Sequence, residues 1–180
     1  MVKERISTRD LCLIGLFTAI ICVLGQISIP MPYGVPMTMQ TFVIPLAGVI
    51  LGHKKGTFSV LIYVLLGAIG VPVFAGFKCG IGIVFGPTGG FILSFPLMAL
   101  LAGIGAQKNN KIWLWSGLAF GSIVNFLCGM IMFSLNTGKS FTTAFVACVL
   151  PFIPTAIIKI ILVGVIGVQC KRILERNALI

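Results

Sequence analysis

Five stretches of this chain, Leu11 to His53, Gly56 to Phe77, Cys79 to Gln107, Ile112 to Gly138 and Ser140 to Ile158, contain no Lys, Arg, Asp or Glu. A water-soluble domain does not leave so much of its surface uncharged, whereas a bilayer core about 30 Å thick is crossed by helices of roughly 20 mostly apolar residues. With 58% hydrophobic and 9% charged side chains and a mean hydropathy of +1.16, the chain lies outside the range of soluble enzymes. Its 180 residues suffice for about six crossings with short connections, leaving little for a soluble part. The expectation is an all-α integral membrane protein with a single domain over residues 1–180.

The punctuation of the chain places the spans. Thr8-Arg9-Asp10 reads as a helix start, and the first span runs from about Leu11 to Ile27, before the turn Pro30-Met31-Pro32-Tyr33-Gly34-Val35-Pro36. The second covers about Met39 to Leu51, Gly52-His53-Lys54-Lys55-Gly56 turns the chain, and the third covers Thr57 to Ile69. Seven glycines and two prolines then break the pattern from Gly70 to Gly90. The fourth span covers about Phe91 to Gly105, the fifth Ile112 to Leu135 and the sixth about Pro154 to Gln169, with room for a short surface helix between Asn136 and Pro151. The second to fourth spans are short, so the bilayer thins around them or their ends tuck into the bundle. The six cysteines are scattered without metal-ligand spacing and read as buried small hydrophobes.

A net charge of +10 invites a nucleic-acid reading, but the solvated polar faces that bind phosphate backbones are missing. Orientation explains the charge better. With the N-terminus in the cytoplasm, the inner side carries Lys3, Arg5, Arg9, Lys54, Lys55, Lys108, Lys111, Lys171, Arg172 and Arg176, and the outer loops carry Lys78 and Lys139. Ten against two is a positive-inside pattern, and it puts both termini in the cytoplasm with an even number of spans, six. The N-terminal charge order resembles a signal peptide, yet no small-x-small cleavage site follows cleanly, so the segment is expected to stay.

Chemistry has few carriers. Glu4, Asp10, Glu175 and His53 all fall in cytoplasmic segments, which argues against proton or sodium coupling through buried carboxylates. One histidine cannot begin a zinc or iron site, and Gly86-Pro87-Thr88-Gly89-Gly90 lacks the Gly-Lys-Ser/Thr ending of a phosphate loop. No metal, catalytic residue or cofactor is expected, and the energy for any pumping comes from a partner. Lys159 is the one charge inside a span. Counting back from Lys171 puts its backbone about 18 Å from the inner surface, in the outer half of the bilayer. Either it snorkels to the headgroups, or it faces a cavity open to the outside in which a ligand supplies the missing anion. A ligand carboxylate is the favoured reading. Thr155 lies one turn before Lys159 on the same face. The long Gly-rich outer loop between the third and fourth spans, around Lys78, reads as a lid or binding element, or else as a re-entrant packing loop. In the fifth span Gly117, Gly121, Asn125 and Gly129 form a small-residue stripe suited to close helix packing or to a pocket, and Asn125 fits either. Gly15 and Ala19 in the first span form a small-x-x-x-small pair suited to contact with another helix.

Pro36-Met37-Thr38-Met39-Gln40-Thr41, Gly70-Val71-Pro72-Val73-Phe74-Ala75-Gly76, Gly86-Pro87-Thr88-Gly89-Gly90, Thr137-Gly138-Lys139-Ser140 and Pro151-Phe152-Ile153-Pro154 followed by Lys159 occur in that order along nearly the whole chain. In these motifs the chain resembles the biotin-specific substrate-binding components (S-components, BioY family) of energy-coupling factor (ECF) transporters. The resemblance implies a six-helix membrane protein of the cell membrane that captures biotin from outside and works with a transmembrane coupling subunit and two cytoplasmic ATPases. By the same resemblance the third loop closes over the ligand, bringing Phe74, Gly76 and Lys78 to it. Lys159 matches the family lysine near the ligand, and Gly15 and Ala19 match the motif that contacts the coupling subunit. Lys159 and Lys78 are then candidates for the carboxylate, Asn125 and Thr155 for secondary polar contacts, and Phe74 and Phe126 for apolar walls.

Two departures bear on the ligand. Family members commonly carry an Asp where Ala156 stands and often a Tyr where Phe126 stands. Both changes remove polar groups that could meet a ureido ring, whose N–H donors cost about 1–3 kcal/mol each if buried unpaired. Asn125 or Thr155 compensates, or the pocket prefers a related acid without the ureido group, such as lipoate. A membrane-embedded enzyme acting on lipid would need an acid or base beside its Ser, Thr or Cys, which the bundle does not supply. A purely structural partner protein would bind no ligand.

Overall fold

The computed structural model describes residues 7–31, 34–108 and 110–177. Lys3 and Arg5, part of the orientation argument, and Glu4, one of the acids placed outside the spans, lie outside the described residues. Helix α1 (Thr8–Leu24) starts with a reciprocal cap, in which the Ser7 amide donates to the Asp10 carboxylate at 3.1 Å. A two-residue antiparallel ladder follows, β1 (Ser28–Ile29) on β2 (Met37–Thr38), with Ser28 opposite Thr38.

The next element, α2 (Gln40–Ala68), is a hairpin of two helices. Gly52 at its middle has φ 79° and ψ 173°, a backbone state that side-chain-bearing residues rarely adopt. The chain reverses there: a Cβ on Gly56 would lie 2.7 Å from the carbonyl oxygen of Ala47, and the Gln40 amide donates to the Tyr63 hydroxyl. In a straight helix those last two residues would be roughly 35 Å apart. The two halves coincide with the second and third spans read from the sequence.

After the loop come a one-turn helix α3 (Ile81–Val84), α4 (Gly89–Gln107) and α5 (Lys111–Thr137). Asn110 caps α5 by accepting from the Ile112 amide at 2.9 Å. Short α6 (Phe141–Cys148) occupies the stretch in which a surface helix was anticipated, capped by Ser140, and a 3₁₀ turn (Leu150–Phe152) leads into α7 (Ile153–Arg176). Among the described residues, four helical segments are long and apolar enough to cross a membrane: Gln40–Ala68, Gly89–Gln107, Lys111–Thr137 and Phe141–Arg176.

The core lies where α1, both halves of α2 and α4 meet, with Ile21, Ile44, Val60, Tyr63 and Phe95 almost fully enclosed. The stripe on α5 packs against α4: a Cβ on Gly121 would come within 3.3 Å of the Met98 carbonyl oxygen, and one on Gly129 would enter the Phe91 ring. Outward faces stay apolar; on α7, Ile157, Ile158, Ile161, Leu162, Val165 and Ile166 are exposed. Of the cysteines only Cys148 is buried, while Cys12 and Cys79 are exposed, so the reading of all six as interior hydrophobes is corrected. Cys12 sits on the outer face of α1 and Cys79 in the loop, places where an apolar run is not interior to the protein.

The basic turns gather at one end of the bundle. There Lys55 bonds Asp10 at 2.6 Å, tying α1 to the hairpin turn of α2, and Lys171 donates to the Ala106 carbonyl at 3.1 Å, at the C-terminus of α4.

Candidate functional site

At the opposite end, a cavity of about 90 Å³ opens between β2, the start of α2, the loop after α2, α4, α5 and α7. Its position follows from α7. Thr155, Lys159, Val163 and Gly167 recur every fourth residue, and the last two are buried against the bundle. Lys159 therefore points inward with them, away from the isoleucine face. Its ammonium donates to the Thr38 carbonyl oxygen at 2.7 Å and to the Thr41 hydroxyl at 2.9 Å. The segment Thr38–Thr41 thus supplies dipoles, not a counter-charge, to this cation.

Six of the residues anticipated for the ligand line this one cavity: Lys159, Lys78, Asn125, Thr155, Phe74 and Phe126. Gly76 does not; it stands exposed in the loop with φ 70°, next to Ala75, which does line the cavity. Phe74 is 1% exposed and meets the Tyr63 ring edge-on at 5.7 Å, and its amide donates to the Lys78 carbonyl at 3.0 Å. That bridge brings Phe74 and Lys78 to the cavity together. The lid and the re-entrant packing loop are alternative readings of this segment; it is folded, and its Phe74, Ala75 and Lys78 line the cavity.

The polar atoms differ in what they offer. Asn125, 1% exposed, spends both amide hydrogens, donating to the Phe91 carbonyl at 3.0 Å and to the Ser94 hydroxyl at 2.8 Å. Phe91 can only accept, and Ser94 directs its own hydrogen to Gly90, so the orientation of the amide is fixed. No donor among the described residues reaches its Oδ1. Ser122 likewise gives its hydrogen to Leu118 at 2.9 Å, and Thr155 to Phe152 at 2.9 Å. The α5 side of the cavity and Thr155 therefore present acceptors, while Lys159 and Lys78 present positive charge. Between them lie Phe91, Ile92, Phe95, Met98 and Phe126. Such a cavity fits an elongated, largely apolar molecule with an anionic group and hydrogen-bond donors.

Sequence reasoning missed Gln40 and Thr41. Gln40 lines the cavity, accepts from the Thr38 hydroxyl at 3.0 Å and donates to Tyr63, whose hydroxyl donates in turn to the Val73 carbonyl at 3.2 Å. Both residues stood in a quoted motif, but a neutral side chain next to a turn carries no signal of what it will face. Gly15 and Ala19 are exposed side by side on α1, and a Cβ on Gly15 would touch nothing in the chain. Among the described residues, no three His, Cys, Asp or Glu side chains converge on a metal position.

Comparison with known proteins gives one consistent answer. The family model described as the BioY family matches residues 1–176. A protein of Pyrococcus horikoshii named "Probable biotin transporter BioY" is 42% identical over 153 residues, covering 85% of this chain and 90% of that protein. "Biotin transporter BioY" of Thermotoga maritima is 38% identical over 170 residues, covering 92% and 97%. Among solved structures, the S-component for biotin from an ECF-type ABC transporter superposes with a TM-score of 0.85 at 29% identity, covering 96% of this chain and 95% of that one.

Proposed function

The chain belongs to the BioY family, and on that footing we propose that it captures biotin from outside the cell as the substrate-specific subunit of an ECF-type ABC transporter. It is a multi-pass protein of the cell membrane and a transporter component, not an enzyme. About six helices cross the bilayer, the two halves of α2 counting separately, with both termini and the basic turns in the cytoplasm and the Gly-rich loop outside. Gly15 and Ala19 meet the transmembrane coupling subunit, and two cytoplasmic ATPases supply the energy.

In the cavity Lys159, with Lys78, pairs with the vitamin's carboxylate, and Phe74 and Phe126 flank its apolar part. Gly76 serves the ligand through the loop's shape. The observation that carries this reading is the inward-facing ammonium of Lys159 beside a cavity whose lining among the described residues holds no acid. The Asn125 Oδ1 favours biotin over lipoate: it is an acceptor in a cavity whose lining also includes Ala156, and a ureido N–H can use it where a dithiolane ring cannot.

The test is calorimetric titration of the purified protein with biotin. Replacing Lys159 by Met, which keeps the stem and removes the charge, is expected to weaken binding by about 1.5–3 kcal/mol, the range for hydrogen bonds to charged groups. Unchanged affinity would remove Lys159 from the site.

A further inference from the structure

We propose that Gln26 is the positioning residue that holds the ligand-covering loop closed, an inference that rests on reading the cavity as the vitamin site. Gln26 lies just beyond the end of α1, and neither it nor any residue of α1 lines the cavity. Its side chain nevertheless grips the loop at two places. Nε2 donates to the Pro72 carbonyl at 3.0 Å, with a longer contact to Cys22 at 3.4 Å, and Oε1 accepts from the Phe77 amide at 2.8 Å. A proline carbonyl can only accept and a backbone amide can only donate, so the orientation of the side-chain amide is fixed by its partners.

The strapped segment carries the cavity wall. Between the two grips lie Val73 and Phe74, both buried, and Lys78 follows the second grip directly. Gly76 and Phe77 take left-handed backbone angles, φ 70° and 60°, and Phe77 is the one non-glycine residue among the described residues that does so. That turn points the Phe77 amide at Gln26 and lets Lys78 return to bridge Phe74. The hydrogen-bond set is specific to glutamine: glutamate would offer two acceptors and set one against the Pro72 oxygen, and leucine would fill the space with neither donor nor acceptor. Opening the loop breaks both grips together, so Gln26 acts on how long the ligand stays, not on how it enters.

The experiment uses the full-length protein in lipid nanodiscs with Gln26→Leu and Gln26→Glu. At neutral pH both variants are expected to release biotin about tenfold faster than wild type, with the association rate unchanged, as follows from losing one or two neutral hydrogen bonds. Both are also expected to be cut faster by trypsin after Lys78 in the absence of ligand, since cleavage there requires the loop to open. A second arm separates this role from general damage. Protonated glutamate regains a donor, so the ratio of the Gln26→Glu release rate to the wild-type rate falls toward one as pH drops to about 4, near the ordinary glutamate value of about 4.3. The Gln26→Leu ratio stays constant over the same range. Wild-type release and cleavage rates in both variants would overturn the proposal, and so would a Gln26→Glu ratio that does not move with pH. If wild-type protein binds no biotin, the vitamin reading fails by itself, and the tryptic comparison still decides whether Gln26 holds the loop.

Discussion

A lysine inside a bilayer is tolerated when its ammonium finds oxygen, and Lys159 finds two, the Thr38 carbonyl and the Thr41 hydroxyl. Neither neutralises it, and the proposed ligand carboxylate would. Asn125 contributes at the other end of the same logic, because its donors are spent and its acceptor is not. Replacing Asn125 by Ala is expected to weaken biotin by about tenfold, the scale of one or two neutral hydrogen bonds, and to leave the weaker binding of lipoate unchanged. Competition titrations with both acids check this, and an equal loss for the two would show that Asn125 only supports the packing of α4 on α5. Lys159 was legible in the sequence because it is the one charge in a long uncharged run. Gln26 and Gln40 were not, since their partners lie 46, 51 and 23 residues away and only the folded loop and hairpin bring them together.

At the scale of elements, the hairpin of α2 shows what was readable and what was not. The Gly52–Gly56 punctuation marked the reversal correctly, because only a residue without Cβ takes the Gly52 angles without strain. The close pairing of its halves, with Gly56 resting on Ala47, is a property of the folded chain alone, and so is the fold of the loop, whose glycines say where the chain bends but not onto what. The basic end of the bundle offers a separate test. Lys55 bonded to Asp10 holds that carboxyl below its ordinary range, with the Ser7 amide adding to the effect. A depressed folded value means that the tie between α1 and the hairpin contributes fully above the unfolded-state value, near 3.9, and is lost as pH falls through the lower folded value. The chain has only three acidic side chains, so few other groups compete for this signature. Thermal midpoints of the purified protein are therefore expected to fall on acidification below about pH 4 more steeply in wild type than in Asp10→Asn. Parallel curves for the two would show that the pair contributes nothing to holding α1 in place.

The whole molecule is polarised along its long direction. One end gathers the lysines and arginines of the short turns; the other holds the cavity, the strapped loop and the first outer turn, with apolar helix faces between. On the proposed reading, this division suits a subunit that holds a ligand by itself and borrows the energy to move it. Native mass spectrometry of the purified chain, without coupling subunit or ATPases and after exposure to an equimolar mixture of biotin and lipoate, tests that claim most directly. The account predicts a single bound molecule with the mass of biotin, lost in the Lys159→Met variant. A chain that carries no acid, or that carries lipoate in preference, would contradict it.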